Sequence, residues 1–381
     1  MQLLARQPLY LGGLIRTALD AAAVYTYQKQ QELRMTIQNV NLEVRQKYIQ
    51  AQLARQLVEV AVQAKRDAQK LLADTETKYR LGSATRFEVL RAEVRLNAME
   101  ADLIRRENES QISLTRLLNV MGISQKSQIN LADPLEYQSI PADADQCLSL
   151  AILKRPDLLM GEANIRLAKD NVEAEKAGYR PKVYLQGLYQ RSYPGYSASF
   201  TDFFAGGDED TEPDNNNNGA PGSLGNKEWE RTMNGGLVVE WTVFDGFATA
   251  GRVAVAKAQL RQEEVLLRKA EEQVQLEVTQ ALLRLNNSEK FVESQSGTVT
   301  NAQEALRLAQ VGFHEGTITS LDVISAELAL SQARSDYLQA VYDYELSKLT
   351  LNAAIGTIGE QAIPAPVAAA DPNSPPSPEE S

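Results

Sequence analysis

The sequence predicts a mainly α protein that is built from long helical hairpins and duplicated internally. Residues 7–122 and 241–356 align without a gap at a constant offset of 234, and the correspondence is clearest between 79–96 and 313–330. Gln, Ala, Glu, Leu and Arg dominate long stretches of the chain, while aromatic residues make up only 6%. This composition is typical of long helices or coiled coil. A duplication of this length indicates two copies of one structural unit packed side by side.

Each copy contains one very long helical pattern. The first runs from residue 14 to about Tyr79 without an internal proline or glycine, and the second runs over 247–313 with Gly251 and Gly297 as breaks and with Gly312 beside its end. Apolar residues in the second pattern are spaced alternately by four and three, the 3.5-residue period of a left-handed supercoil. The predicted seam is Val274, Val278, Ala281, Leu285, Ser288, Val292, Gln295, Val299, Ala302, Leu306, Ala309 and Phe313, and in the first copy Val40, Val44, Ala51, Ala54, Val58, Ala61 and Leu72.

Each long helix is predicted to end at a Gly-x-x-Thr turn, over 82–85 and 316–319. Glycine supplies the left-handed conformation that closes one helix, and threonine caps the start of the next. Returning helices are expected over about 86–120 and 320–354, so each pair forms a hairpin with unequal arms. A further helix is predicted over about 145–178.

Two segments alternate as strands do, 183–193 and 237–244, and the offset maps the second onto 3–10. Alternation with an apolar face is typical of a membrane barrel strand and equally of a half-buried soluble strand. Helices of this length leave no compact soluble core for the strands to cover, which favours the membrane. We expect 1–133 to be a first, partial structural repeat, 134–360 a second repeat, and 361–381 a disordered tail.

Composition excludes several classes of function. The net charge of −11 argues against a nucleic-acid partner. With one cysteine, Cys147, and one histidine, His314, the chain cannot build a cysteine-based zinc site or a multi-histidine metal centre. Carboxylates are plentiful but spread over solvated helix faces, so the sequence predicts neither an enzyme nor a cofactor.

Strand, long helix, Y/F-x-x-G-x-x-T turn and shorter helix with L/I-x-A-E follow one another in both copies. Together with the junctions at 8–13 and 243–246 and the segment Arg155-Pro156-Asp157-Leu158, this order resembles the TolC-like outer-membrane efflux channel family. The resemblance implies a homotrimer in which long hairpins form an α-barrel across the periplasm, continued by a small transmembrane β-barrel in outer-membrane lipid. Open sheet edges are not tolerated in lipid, so such strands span only as an oligomer.

The implied function is that of a passive exit duct in a tripartite efflux or type I secretion system. Its expected partners are a periplasmic adaptor (membrane fusion) protein and an inner-membrane transporter. The alternative is a soluble coiled-coil scaffold without transport. The chain shows three strands where family members have four, and it lacks their N-terminal helix, first strand and signal or lipid anchor. We therefore expect the sequence to be truncated at its start.

The resemblance also implies a gate. The family's periplasmic constriction uses acidic rings after the second turn, and Asp322 holds the first acidic position while Ser325 holds the second. Glu88 is the first-copy equivalent of Asp322. Phe313 and Ile318 occupy positions of a polar latch, so apolar packing is expected to replace it. The structural alternative for Asp322 and Glu88 is an acid in the first turn of a helix, where the helix dipole favours negative charge.

The two turns match the sites at which family members meet adaptor hairpins, and this reading is compatible with simple capping. The candidate docking residues are Leu81, Gly82, Ser83, Glu315, Gly316 and Thr317. Within the 208–225 loop, Asp214-Asn-Asn216-Asn-Asn218-Gly219 resembles the opening of a calcium loop, but Gly225 stands where the closing carboxylate is needed. A flexible polar loop without metal is the favoured interpretation. His314 is expected to face solvent and could respond to pH near neutrality.

Overall fold

The computed structural model describes residues 2–125, 127, 129–132, 134–192 and 230–358, and it confirms a mainly α fold. The candidate calcium segment within 208–225 and the predicted tail at 361–381 lie outside the described residues. The elements in chain order are β1 (Gln2–Leu11), α1 (Leu14–Arg80), α2 (Arg86–Val120), α3 (Ala144–Lys154), α4 (Pro156–Lys176), a 3₁₀ turn (Ala177–Tyr179), β2 (Lys182–Ser192), β3 (Glu230–Glu240), α5 (Ala248–Glu315) and α6 (Ser320–Ile355).

The duplication recurs in the lengths of the helices. The long helices α1 and α5 have 67 and 68 residues, and the returning helices α2 and α6 have 35 and 36. At 1.5 Å per residue, α1 and α5 are each about 100 Å long. All twelve predicted seam positions of α5 are buried or half-buried, which confirms the 3.5-residue interpretation. In α1 the predicted seam residues are also buried or half-buried, except for Val40, which is exposed.

The predicted helix over 145–178 is wrong as a single element. The chain forms α3 and α4, with Arg155 between them in an extended conformation (φ −66°, ψ 122°). Proline disfavours a helical residue before it and has no N–H to donate, so Pro156 ends one helix and begins the next. The Arg155 side chain spans this break, because it pairs with Asp157 at 2.7 Å and with Glu277 at 2.6 Å.

One compact unit comprises Met1–Tyr25 and Ile165–Glu263, and it contains the sheet. The strands are antiparallel in the order β1-β2-β3, and the register aligns Leu185 with Gln7 on one side and with Leu237 on the other. The face that carries Leu185 and Leu237 is mostly apolar and exposed, as predicted. On the opposite face Arg6 lies over the ring of Tyr184 at 3.6 Å and forms a salt bridge with Glu240.

The third strand lies earlier than predicted. It spans Glu230–Glu240, so residues 241–244 of the predicted strand fall outside it. The pairing of β2 with β3 explains the difference. Lys182, the first residue of β2, aligns with Glu240, so residues 241–244 have no residue of β2 to pair with. Pro181 precedes β2 and has no N–H to extend the ladder.

A second compact unit comprises Thr26–Asn164 and Glu264–Ser381. Its largest core surrounds Tyr344, whose hydroxyl donates to the Gln138 carbonyl and accepts from the Ile140 amide, both at 3.1 Å. Each compact unit takes residues from both copies of the repeat. The repeat boundaries at 133 and 360 therefore describe the duplicated sequence, and they stay a prediction. None of the described helices contains an apolar stretch that would span a lipid bilayer.

Candidate functional site

The two Gly-x-x-Thr turns have the same backbone. We call residues 78–89 the first tip and residues 312–323 the second tip. Gly82 and Gly316 both have positive φ, +77° and +80°, which glycine adopts without steric cost. In the first tip the Ser83 amide donates to the Lys78 carbonyl at 2.9 Å. In the second tip Thr317 donates to Gly312, also at 2.9 Å. These bonds satisfy carbonyls at the helix ends, as the sequence predicted.

Both returning helices begin with a capping box. The Glu88 amide donates to Thr85 Oγ1 at 3.3 Å, and Thr85 donates its own amide to Glu88 Oε2 at 2.6 Å. In the second tip the Asp322 amide donates to Thr319 Oγ1 at 3.4 Å, and the Thr319 amide donates to Asp322 Oδ2 at 3.0 Å. Both acids therefore lie in the first turn of their helix, which is the structural alternative to a gate role, and the gate role stays a prediction. Capping also holds each carboxylate in a defined place.

The two acids differ in exposure, since Asp322 is exposed whereas Glu88 is half-buried. Hydrogen bonds from the Thr319 side chain and backbone lower the pKa of Asp322, so this carboxylate stays charged at neutral pH. Ser325 is exposed as well, but its hydroxyl donates to the Leu321 carbonyl of its own helix at 2.8 Å. Ser325 therefore adds no charge beside the Asp322 carboxylate.

The aromatic residues of the two tips have different surroundings. Phe313 is only 6% exposed and packs in a cluster with Leu71, Leu306 and Val323, whereas its equivalent Tyr79 is 44% exposed. Ile318 is half-buried against Gly312, where an added Cβ would lie 2.6 Å from Ile318 Cδ1. The apolar packing expected at Phe313 and Ile318 is present. Their part in closing a channel stays a prediction.

Lys78 contacts Phe313, and the sequence did not predict this contact. Lys78 extends from the end of α1 to the end of α5, places its Nζ 3.7 Å from the centre of the Phe313 ring, and donates to the Phe313 carbonyl. Phe313, one of the two latch positions, is therefore covered by a cation as well as by apolar side chains. The alignment of the two copies shows a difference at this position, because Gly312 in the second copy is the equivalent of Lys78 in the first.

The candidate docking residues lie on the surface of the two tips. Leu81 is 78% exposed and presents an apolar side chain at the end of the first tip. The full set is exposed, namely Leu81, Gly82, Ser83, Glu315, Gly316 and Thr317.

Glu327 is a second residue that the sequence analysis did not single out. Its side chain is only 7% exposed, whereas Glu93, at the equivalent position of the first copy, is exposed. Burial and the nearby Asp67 carboxylate raise the pKa of Glu327 to about 7, while Arg95 opposes that rise. His314 is exposed as expected, and its Nε2 lies 3.9 Å from Asp74 Oδ2. Among the described residues, no cluster of three or more His, Cys, Asp or Glu side chains could hold a metal ion.

The chain is similar in sequence to several curated outer-membrane proteins. It is 23% identical over 348 residues to outer membrane protein TolC of Vibrio cholerae, which covers 91% of this chain and 74% of that protein. It is 23% identical over 357 residues to proteases secretion protein PrtF of Dickeya chrysanthemi, with 90% and 71% covered. It is 22% identical to cation efflux system protein CusC of Escherichia coli K12, with 82% and 63% covered.

Solved structures share the fold. A crystal structure of CusC superposes with a TM-score of 0.72 at 19% identity and covers 93% of this chain and 77% of that chain. VceC from Vibrio cholerae superposes with a TM-score of 0.70 at 18% identity, with 93% and 79% covered. These neighbours confirm the predicted mainly α fold with its long helices, and a trimer is consistent with it.

The relatives are channels of the outer membrane that extend into the periplasm, and the family consists of channels and not of enzymes. A soluble coiled-coil scaffold is therefore not favoured. The family model described as outer membrane efflux protein matches residues 1–123 and 147–357. On that match, this chain belongs to the outer membrane efflux protein family and serves as an outer-membrane exit duct for efflux or secretion.

Proposed function

We propose that the second tip is the periplasmic gate of this exit duct, in a homotrimer that exports cargo passively. The observation that carries the proposal is the difference between the tips. Only the second combines a buried aromatic residue, Phe313, with a cation from another helix, Lys78, and an exposed charged acid, Asp322. A gate needs a packed arrangement, and the contacts of Phe313 supply the packing at the second tip.

Threefold symmetry would convert Asp322 into a ring of three carboxylates, and such rings select and bind cations in channels. The capping box supports this role, because it fixes the Oδ2 oxygen of Asp322 at Thr319, while Oδ1 makes no hydrogen bond to any of the described residues. Glu88 of the first tip is a weaker candidate, since it is half-buried. Ser325 adds no charge to the ring.

We propose that the exposed ends of both tips receive a periplasmic adaptor protein, which links the duct to an inner-membrane transporter. Family members work with such partners. The exposed Leu81 and the open backbone of Gly82 and Gly316 supply an apolar contact and close backbone approach for an adaptor hairpin. PrtF carries protease secretion in its name and CusC cation efflux, so the relatives do not single out one cargo.

The gate assignment is tested by Asp322→Asn in the reconstituted full-length protein. Asparagine keeps an oxygen that can accept the Thr319 amide, so the cap is largely retained while the charge is lost. We expect block of the channel by a trivalent cation to require at least about tenfold more cation, because the ring loses its full negative charge. Single-channel recording in a planar bilayer measures this.

Glu315→Gln is the matched control, since Glu315 is an exposed acid of the same turn region and is not placed in the ring. Its block should equal that of the unmodified channel. If Asp322→Asn and Glu315→Gln show the same block, Asp322 does not line the gate.

A further inference from the structure

The Glu327 carboxyl is buried where three helices meet. It lies on α6 and lines a small pocket with Asp67 and Asp74 from α1 and with Phe313 and His314 from α5. Its Oε2 has no hydrogen-bond partner among the described residues. Burying a charged carboxylate without a partner is costly, so the neutral, protonated form is favoured there.

The charged groups around Glu327 do not compensate for its burial. From α1, Asp67 and Asp74 add negative charge, and Lys70 lines the same pocket. From α2, Arg95 acts on the carboxyl electrostatically, but its own Nε is buried without a partner, and no salt bridge joins it to Glu327 within the described part of the chain. From α5, His314 lies beside Asp74 at 3.9 Å.

Burial, and after it Asp67, raises the pKa of this carboxyl to about 7 from an ordinary value of 4.5. A proton therefore binds more tightly when the helices are packed than when Glu327 is exposed to water. The packed state and the state with Glu327 exposed hold different numbers of protons between the two pKa values of this carboxyl. Any effect of pH is therefore confined to roughly pH 4.5 to 7.

We propose that Glu327 is a proton-binding site that couples the pH of the periplasm to the packing of the second tip. When Glu327 is protonated, α6 packs against α1 and α5 beside Phe313. When the proton leaves, the buried charge favours the loosened arrangement. This inference rests on the proposed gate for its effect on conduction, but the proton site itself can be measured without it.

The direction follows from linkage. The packed tip gains from protonation, so it is favoured at low pH and weakened as pH rises toward 7, with no further change above that value. Full exposure on loosening would change the packing equilibrium by at most about 300-fold per protomer, since 2.5 pH units separate 7 from 4.5. Partial exposure reduces this, so we expect a change of about tenfold.

The test is amide hydrogen exchange of residues 306–330 in the full-length protein at pH 5, 6, 7 and 8, corrected for the intrinsic exchange rate. The unmodified protein should lose about tenfold in protection from pH 5 to pH 7. Glu327→Gln mimics the neutral form in size and shape, and it should hold high protection at every pH. The inference is overturned if Glu327→Gln retains the pH dependence of the unmodified protein.

Three further variants separate the contributing groups. Glu93→Gln changes the exposed equivalent in the first copy and should leave the pH dependence intact, as should His314→Gln. Asp67→Asn removes the neighbouring carboxylate and keeps the oxygen that accepts from Gln63 at 3.0 Å. It should move the midpoint to lower pH. If His314→Gln abolishes the pH dependence instead, the proton site is His314 and the assignment to Glu327 is wrong.

Conductance at the same pH values distinguishes this inference from the gate. If exchange at the tip depends on pH through Glu327 and conductance does not, the proton site stands and the gate assignment fails. If exchange does not depend on pH, the proton site fails, and block in Asp322→Asn still tests the gate independently.

Discussion

The first and second tips have the same backbone and different packing. Both contain a glycine with positive φ, a threonine cap and an acid three residues later, with matching hydrogen bonds. Yet Tyr79 is exposed where Phe313 is buried, and Glu93 is exposed where Glu327 is buried. The comparison teaches that the local requirements of a turn are met identically in both copies. The copies diverge where side chains contact other helices.

The largest predicted difference between the tips concerns the aromatic pair. Phe313→Ala should destabilise the second tip by about 3–5 kcal/mol, because it removes a buried ring and leaves a cavity in the cluster around Leu71 and Val323. Tyr79→Ala should cost far less, since Tyr79 already meets solvent. Amide exchange of 306–330, compared with exchange of 72–96, measures both. Equal losses would show that the tips are packed alike.

A smaller difference comes from the lysine that only the first copy carries. Lys78→Met keeps most of the side-chain stem and removes the cation over the Phe313 ring together with the bond to its carbonyl, so it should cost about 1–2 kcal/mol. Basal conductance in the bilayer should rise as the second tip loosens. Arg80→Met, at an exposed position two residues later, is the control. A rise of the same size in that variant would contradict a specific role for Lys78.

The caps should show no difference at all. Thr85→Ala and Thr319→Ala each remove one capping side chain and should cost about 1 kcal/mol. The amides of the first helical turn report the loss by exchange, in α2 for one variant and in α6 for the other. A gap of more than about 1 kcal/mol between the variants would mean that tertiary contacts also stabilise one of the caps.

The smallest expected effect on stability belongs to the docking surface. Leu81→Ser changes a side chain that is 78% exposed, so stability should stay within about 0.5 kcal/mol. Binding of a purified adaptor protein should weaken when it is measured on the channel immobilised on a surface. Leu153→Ser, 70% exposed on α3, is the control and should bind as the unmodified protein does. Unchanged binding in Leu81→Ser would remove the first tip from the docking surface.

Much of this molecule follows from its sequence alone. The 3.5-residue spacing predicts the seam of α5, and the Gly-x-x-Thr turns predict where both long helices end, because these features depend on residues close together in the chain. Sequence reasoning failed at Pro156, where a single residue breaks the helical pattern, and at the end of β3, where the strand ends because its partner does.

The candidate site divides in the same way. The sequence by itself determined the turns, the caps and the positions of Asp322 and Glu88, since the hydrogen bonds of the turns and caps join residues no more than six apart. It did not determine that Lys78 contacts Phe313, or that Glu327 is buried beside Asp67 while Glu93 is not. Those contacts join helices far apart in the chain. Only the tertiary structure decides which of two equivalent residues leaves water, and burial is what gives a carboxyl a pKa near 7.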